Sequence, residues 1–439
     1  MTHLIVQHKL LGTARLLRSL DNGLLLEVQF DSGLRLRLPS AEFEPLPVTM
    51  PYNAFETRQT IETLRMGIVP SAHITDLTIG LDEERTRLQR AFKRTSLHGG
   101  ATLAVLADYG HGKTHFIALT EQSALQEGFL VSSISLDQRE LPPSRARFIY
   151  SAALEALRYP DLPERGLTPL LERARQQPEA TTAVLERSPM AGDCPFAFGV
   201  WTYLRSESDA ERHSAMRYLT HRGSLRRAPR LMATGAVARQ YAYLFSALST
   251  LARALGYSGF ALLIDEVDYY SRLTPAAKER AQQLFKALIY ASQGEDGTAL
   301  VDYGIPYHQQ IEYPLRFSDQ SAFFFMFAST YPPEQMPIAD WLSHSLLIYP
   351  NQRFKAPDVE RFLKMIGVYH AQAYRYQANG QLITPTLVRL LTEALNRNFI
   401  SVRDLTQIGV TFYDLLYTRP HIPPEDHIRA LARALHDGT

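Results

Sequence analysis

Apolar and polar positions alternate along Leu24, Leu26, Val28 and Phe30, and the alternation resumes at Leu34, Leu36 and Leu38. A period of two marks half-buried strands, and Asn22-Gly23 and Asp31-Ser32-Gly33 supply the positive-φ residues that short hairpins need. With Gly12–Leu20, the pattern predicts three successive strands of a small, strongly bent sheet within residues 1–47. Pro45, Pro47 and Pro51 then mark a linker. Asn53 is placed to cap a helix to about Met66, with Phe55, Ile61 and Leu64 as its buried side, and a charged helix runs to about Arg94. From there the periodicity changes. Continuous apolar runs (Leu103–Ala107, Leu130–Leu136, Phe260–Ile264, Ala322–Ser329) are separated by helical stretches such as Thr114–Glu127, stopped by Gly128, and Phe148–Leu157. Unbroken apolar runs of this length are strands covered on both faces, and their alternation with helices predicts a parallel sheet.

Residues 160 to about 257 read as mostly helical. Thr274-Pro275 opens a further helix with Ala277, Ala281, Leu284, Phe285 and Leu288 on its apolar face, and Gly294–Phe317 reads as an extended insertion. Beyond Pro350 the chain predicts a small bundle, Val359–Tyr374, Pro385–Leu395 and Ser401–Leu416, and a last helix His427–Leu435.

At 439 residues, two or three domains are expected. Hydrophobic residues at 45% and charged ones at 21% are those of a soluble globular protein and argue against extensive disorder. A net charge of +1 means that nucleic-acid affinity must come from a local patch. One such patch exists: Arg212, Arg217, Arg222, Arg226, Arg227 and Arg230 follow one another with no acidic residue between. It can bind phosphate backbones, face solvent, or meet an acidic partner. The single cysteine, Cys194, excludes an intramolecular disulfide framework and a cysteine-based zinc cluster and fits a reducing compartment. No signal peptide or membrane-spanning run is read, so a cytoplasmic location is expected.

Two stretches carry chemistry. The strand Leu103–Ala107 runs into Asp108-Tyr109-Gly110-His111-Gly112-Lys113-Thr114-His115. This is the phosphate-binding loop G-x-x-x-x-G-K-[ST], with Ala107 at the first glycine position. Its glycines let consecutive backbone N–H groups wrap a phosphate, and the helix that starts there adds its N-terminal amides and dipole. Lys113 reaches the β- and γ-phosphates, and Thr114 offers its hydroxyl to Mg²⁺. The second stretch is Phe-Ala-Leu-Leu-Ile-Asp265-Glu266-Val-Asp268. A buried strand delivers carboxylates at its C-terminal end, where α/β sheets place their ligands. Asp265 is expected to hold Mg²⁺ and Glu266 to polarise the attacking water, with Asp268 the next candidate for that base. The strand Ala322–Ser329 ends in Ser329-Thr330, hydroxyls suited either to the γ-phosphate or lytic water or merely to capping a strand.

The ordered set of phosphate loop, DE-ended strand, hydroxyl-ended strand and helical end resembles the AAA+ ATPases, nearest the origin-recognition branch with its DE-x-D box. The resemblance implies that Ile79-Gly80, in the "apolar–Gly–x–acidic" stretch before the loop, packs on adenine. It also implies that Arg403, in the first turn of its helix, points from a helical lid towards the nucleotide, the alternative being a surface arginine. The strings IETLRMGIVP, IGLDEE, LADYGHGKTHFIAL, VSSISLDQRELPP and GFALLIDEVDYY look closer still to the ATP-binding proteins of BREX-type phage-defence systems, the BrxD-like family, over roughly residues 52 to 415 apart from parts of the middle region and the Gly294–Phe317 insertion.

The expected fold is therefore α/β. It comprises a P-loop AAA+ domain with a parallel five-stranded sheet (52–350, with a helical insertion about 160–256), a helical lid (351–439) and a small N-terminal sheet resembling Tudor-like barrels (1–47). The resemblance implies Mg²⁺-dependent ATP hydrolysis coupled to DNA or to partner defence proteins such as a helicase, nuclease or methyltransferase, in a homo-oligomer. The alternatives are a low-turnover nucleotide switch that recruits a helicase or nuclease, and a replication or helicase-loading ATPase.

Overall fold

The computed structural model describes the chain except for residues 1–4, 9–10, 21–24, 31–32, 40–41, 43–53, 69, 71–72, 109, 189, 294–303, 331–335, 344–345, 350–352, 377–382, 420–425 and 428–439. The proline linker, the Asn53 cap, most of the two hairpin turns, much of the Gly294–Phe317 insertion and nearly all of the last predicted helix lie outside the described residues. The chain forms two compact units, Met1–Gly80 with Asn351–Thr439, and Leu81–Pro350.

In the first unit, β1 (Ile5–His8), β2 (Gly12–Leu20), β3 (Leu25–Phe30) and β4 (Arg35–Pro39) form an antiparallel sheet in the order β1-β2-β3-β4. The alternation predicted for β3 is present: Leu26, Val28 and Phe30 are buried with Ala14, and Leu36 and Leu38 of β4 pack on them. Gly33 closes the β3–β4 turn at φ 83°, its N–H donating to the Phe30 carbonyl at 2.8 Å. Among the described residues there are four strands where three were expected, because β1 has only two apolar residues in its four and carries no alternation long enough to read. A β1–β4 pairing that would close a barrel is absent among the described residues.

Helix α1 (Ala54–Arg65) belongs to the same unit. Ile61 and Leu64 are buried as expected, but Phe55 is 74% exposed. Phe55 lies nine positions before Leu64, about two and a half turns at about 3.6 residues per turn, and so points to the opposite side.

The second unit begins with α2 (Asp82–His98), β5 (Gly100–Leu106), α3 (Lys113–Gln126), β6 (Leu130–Ser135), α4 (Ala146–Glu155) and β7 (Leu157–Arg158). The predominantly helical stretch follows as α5 (Thr168–Gln176), α6 (Pro178–Leu185), α7 (Pro195–Arg205), α8 (Asp209–Leu219) and α9 (Ala238–Ala254). The unit ends with β8 (Phe260–Asp265), α10 (Pro275–Ala291), β9 (Phe323–Ser329), α11 (Ile338–Trp341) and β10 (Leu347–Ile348). Its sheet has the order β10-β5-β9-β8-β6-β7. All pairings are parallel except β6–β7. Among the described residues the sheet is thus mixed and six-stranded rather than five-stranded and parallel. The antiparallel edge strand β7 is two residues long, too short to register as a periodicity.

Every residue of β5, β8 and β9 is buried, as an apolar run covered on both faces requires. Alternate phenylalanines of β9 serve opposite faces: Phe323, Phe325 and Phe327 join the main core, while Phe324 meets Phe92 of α2 at 4.9 Å between ring centroids. Gly259 lies so close to the neighbouring backbone that a Cβ there would stand 2.4 Å from the Ala322 carbonyl oxygen.

Back in the first unit, α12 (Ala356–Tyr374), α13 (Pro385–Asn396) and α14 (Val402–Thr418) match the three predicted helices within about three residues and share one core with α1. Asp414 of α14 accepts from Arg65 Nη2 at 2.8 Å and Nε at 3.1 Å, and pairs with His370 Nε2 at 2.9 Å. Burial works against its carboxylate, but the hydrogen bonds of His370 and Arg65 outweigh it and hold the pKa below the usual range. Among the described residues no helix is long and apolar enough to cross a membrane.

Candidate functional site

The loop between β5 and α3 is shaped by two glycines. Ala107 still belongs to the sheet, its N–H donating to the Ser329 carbonyl at 3.3 Å, and the His111 N–H then turns back to the Asp108 carbonyl at 3.2 Å. Gly110 and Gly112 both adopt φ 82°. A Cβ at Gly112 would meet nothing within 4 Å, so what the position demands is the left-handed backbone, not space. Gly112 also caps α3, accepting from the Phe116 N–H at 2.9 Å, and the helix opens with Lys113 and Thr114. The first amides of α3 and its dipole therefore converge on the loop. Asp108 is exposed at its rim, while Gly110, His111 and Gly112 are half-buried. Tyr109 lies outside the described residues.

Lys113 is buried, and its ammonium lies against the sheet. It donates to the Ala107 carbonyl at 2.9 Å and to the Thr330 hydroxyl at 3.1 Å, with the Asp108 carbonyl at 3.4 Å and Asp268 Oδ2 at 3.8 Å. Thr114 stands near enough to the Asp265 carboxylate to lower its pKa. The structure thus brings Lys113 and Thr114 against the carboxylates at the end of β8, more than 150 positions further along.

Asp265 is buried, and burial raises its pKa against the lowering effect of Thr114, the Glu266 N–H and Lys113. Glu266 follows in the left-handed region at φ 59° and ψ 36°, a conformation that costs a non-glycine residue about 1–3 kcal/mol and recurs at functional sites. Its N–H donates to Asp265 Oδ1 at 2.8 Å. Partial burial and the charges of Asp265 and Asp268 raise the Glu266 pKa, which suits a proton acceptor.

Among the described residues, three carboxylates (Asp265, Glu266, Asp268) therefore face one ammonium in this corner. The imbalance, with a buried carboxylate beside a threonine hydroxyl, fits a hard divalent cation. Among the described residues no cluster of three or more His, Cys, Asp or Glu side chains could hold a metal ion. Magnesium needs no such cage, since it keeps waters and shares its ligands with phosphate oxygens.

Ser329 is fully buried and donates to Asp268 Oδ1 at 3.1 Å; it is the Thr330 hydroxyl that reaches Lys113. Asp268 accepts from Ser329 Oγ, from the Thr330 N–H and from Thr330 Oγ1, so its carboxylate organises the end of β9. The sequence displays Asp268 only as a third acid near the strand end, and nothing in it shows a partner 61 or 62 positions away. His115 is half-buried on α3, and desolvation with the nearby Arg85 pushes its pKa down to about 4. It is neutral at pH 7 and brings no charge to an anion.

Ile79, Gly80 and Arg403 belong to the other compact unit. There Ile79 is buried in the helical core, Gly80 takes φ 60°, and Arg403 Nε donates to the Gly67 carbonyl at 2.9 Å. The helix bearing Arg403 starts at Ser401, whose side chain and that of Asp404 form a capping box.

No curated protein matches the chain. Residues 53–193, about a third of its length, match the family model of the BREX system ATP-binding protein BrxC/D. The match bears out the resemblance carried by the flanks of the phosphate loop, and it supports ATP binding in BREX defence alongside other proteins of that system. The segment that contains β5, the phosphate loop and α3 is thus similar to the BREX system ATP-binding protein BrxC/D.

Proposed function

We propose that the chain is a Mg²⁺-dependent ATPase of BREX-type defence, coupling ATP binding and hydrolysis to DNA or to partner defence proteins. The observation that carries this reading is the meeting of Thr114 with Asp265 and of Lys113 with Asp268, which joins the phosphate loop to the acidic end of β8. In this reading Lys113 and the α3 amides hold the β- and γ-phosphates, with Asp108, Tyr109, Gly110, His111, Gly112 and His115 around them. Thr114 and Asp265 hold Mg²⁺, which neutralises phosphate charge. Glu266 accepts the proton of the attacking water, Thr330 stands beside the γ-phosphate with Ser329 behind it, and α12–α14 act as a lid with Arg403 as its cation.

A second reading, a slow nucleotide switch, is favoured by one feature. The Lys113 ammonium is already satisfied by protein oxygens, so nucleotide must displace them. Turnover measured with and without double-stranded DNA separates the two. A rate that rises with DNA supports the coupled ATPase, whereas tight binding with negligible turnover under both conditions supports the switch. Lys113→Ala checks the site itself: it is expected to abolish ATP binding in calorimetry, and a variant with wild-type affinity would move the site elsewhere.

A further inference from the structure

Asp268 sits in the first turn of a short 3-10 helix, Val267–Arg272, directly after Glu266. Its Oδ1 accepts from Ser329 Oγ and the Thr330 N–H, while Oδ2 accepts from Thr330 Oγ1 at 2.5 Å. A hydroxyl has one proton. Since Thr330 gives its proton to Asp268, it meets Lys113 as an acceptor, and a chain Lys113–Thr330–Asp268 results. The ammonium has three protons, and the Ala107 carbonyl, Thr330 Oγ1 and the more distant Asp108 carbonyl take them up. Asp268 Oδ2, 3.8 Å away, adds attraction to this arrangement without adding a hydrogen bond.

We propose that Asp268 is a positioning residue with two separable effects: it holds Lys113 back from the phosphate in the free protein, and it fixes Thr330 beside the site for the chemical step. The proposal deepens the ATPase reading above and rests on it. When Lys113 turns to a phosphate, it gives up the Thr330 hydroxyl, and Asp268 loses its counter-ion while keeping its donors from Ser329 and Thr330. The carboxylate therefore opposes binding and supports turnover. A residue that merely braces the fold has no reason to push these two quantities in opposite directions.

The test compares the full chain with Asp268→Asn, Thr330→Val, Thr330→Ser and Lys113→Ala. Calorimetry with Mg²⁺ and a non-hydrolysable ATP analogue gives affinity, and steady-state ATP hydrolysis gives kcat. Asp268→Asn is expected to bind the analogue about fivefold tighter or more, because the charge opposing the phosphates is gone, while kcat falls by about tenfold or more as Thr330 loses its anchor. Thr330→Val is expected to lose kcat on a similar scale and Thr330→Ser to keep it, since the hydroxyl is the working group. Unchanged or weaker affinity in Asp268→Asn overturns the proposal, and so does wild-type kcat in Thr330→Val. If Asp268→Asn does not fold, the Thr330 pair decides by the same criterion. Wild-type affinity in Lys113→Ala, or no binding by the wild type, overturns the nucleotide-site reading and this proposal with it. Failure of the Asp268 and Thr330 variants alone leaves that reading standing.

Discussion

At the scale of single residues, the corner between α3 and β8 trades stability for chemistry. Asp265 is charged where burial disfavours charge, so its folded-state pKa lies above the ordinary 3.8. For a carboxylate raised in this way, the penalty is absent below the ordinary value and fully present once pH exceeds the folded one. Asp265→Asn is therefore expected, without divalent cations at pH 7, to melt at a higher temperature than wild type. That advantage should vanish below about pH 4, while Mg²⁺-dependent turnover is lost; thermal melts across pH check the first point and hydrolysis the second. Glu266 carries a further burden, backbone strain at φ 59° on top of a partly buried charge. Glu266→Gln keeps that backbone and removes the acceptor for a water proton. Nucleotide binding is expected to persist while turnover falls by roughly 10²-fold or more, and a variant with unchanged turnover would place the base elsewhere.

At the scale of elements, β5, β6, β8 and β9 were legible because an unbroken apolar run has few other places to go. The phosphate loop was legible because glycine spacing and a lysine–threonine pair encode a backbone shape. The two-residue strands β7 and β10 were not, since their place in the sheet comes from neighbours rather than from their own pattern. Helix α9 was only partly legible: its sequence ARQYAYLFSALSTLARA mixes polar and apolar residues, yet Arg239, Gln240, Ser246, Ser249 and Thr250 are all buried, each with a hydrogen-bond partner. Asp268 and Thr330 were each singled out as candidates, but their pairing was not legible, because a hydrogen bond between distant positions leaves no trace in one sequence. The approach at Gly259 yields an element-level prediction. Gly259→Ala would press a Cβ onto the Ala322 carbonyl at φ 154°, which forces β8 and β9 apart. A loss of about 2–3 kcal/mol, the upper range for overpacking, is expected in denaturant unfolding, and the β8 carboxylates should lose their register with the loop.

At the scale of the whole molecule, the arginine-rich stretch divides into engaged and exposed members. Arg212 pairs with Asp209, Arg222 pairs with Glu155 at 2.7 Å, and Arg217 donates to the Arg222 carbonyl at 3.0 Å. Arg226, Arg227 and Arg230 are exposed, and they are the better candidates for phosphate contacts. Replacing these three together is expected to lower the log–log salt slope of DNA affinity by up to roughly 2.7, at about 0.9 per phosphate contact. A wild-type affinity indifferent to salt would assign the stretch to a protein partner instead.

The strand order also sets a timetable. β5 and β8, which carry the loop and the carboxylates, are not neighbours; β9 lies between them and is made last of the three. On a ribosome, β6 and β8 can pair as soon as residue 265 has emerged, yet β5 must wait for Phe323–Ser329 before it can join them. The Lys113 cradle needs Thr330, the residue immediately after that strand. Late, long-range pairing of this kind makes folding slow and leaves an apolar edge open in the meantime. A nascent chain released before residue 330 would therefore carry its complete phosphate loop and acidic strand but no place for them to meet. Truncated translation products would compete poorly for nucleotide in the cell, and competence to bind would arrive in a single late step.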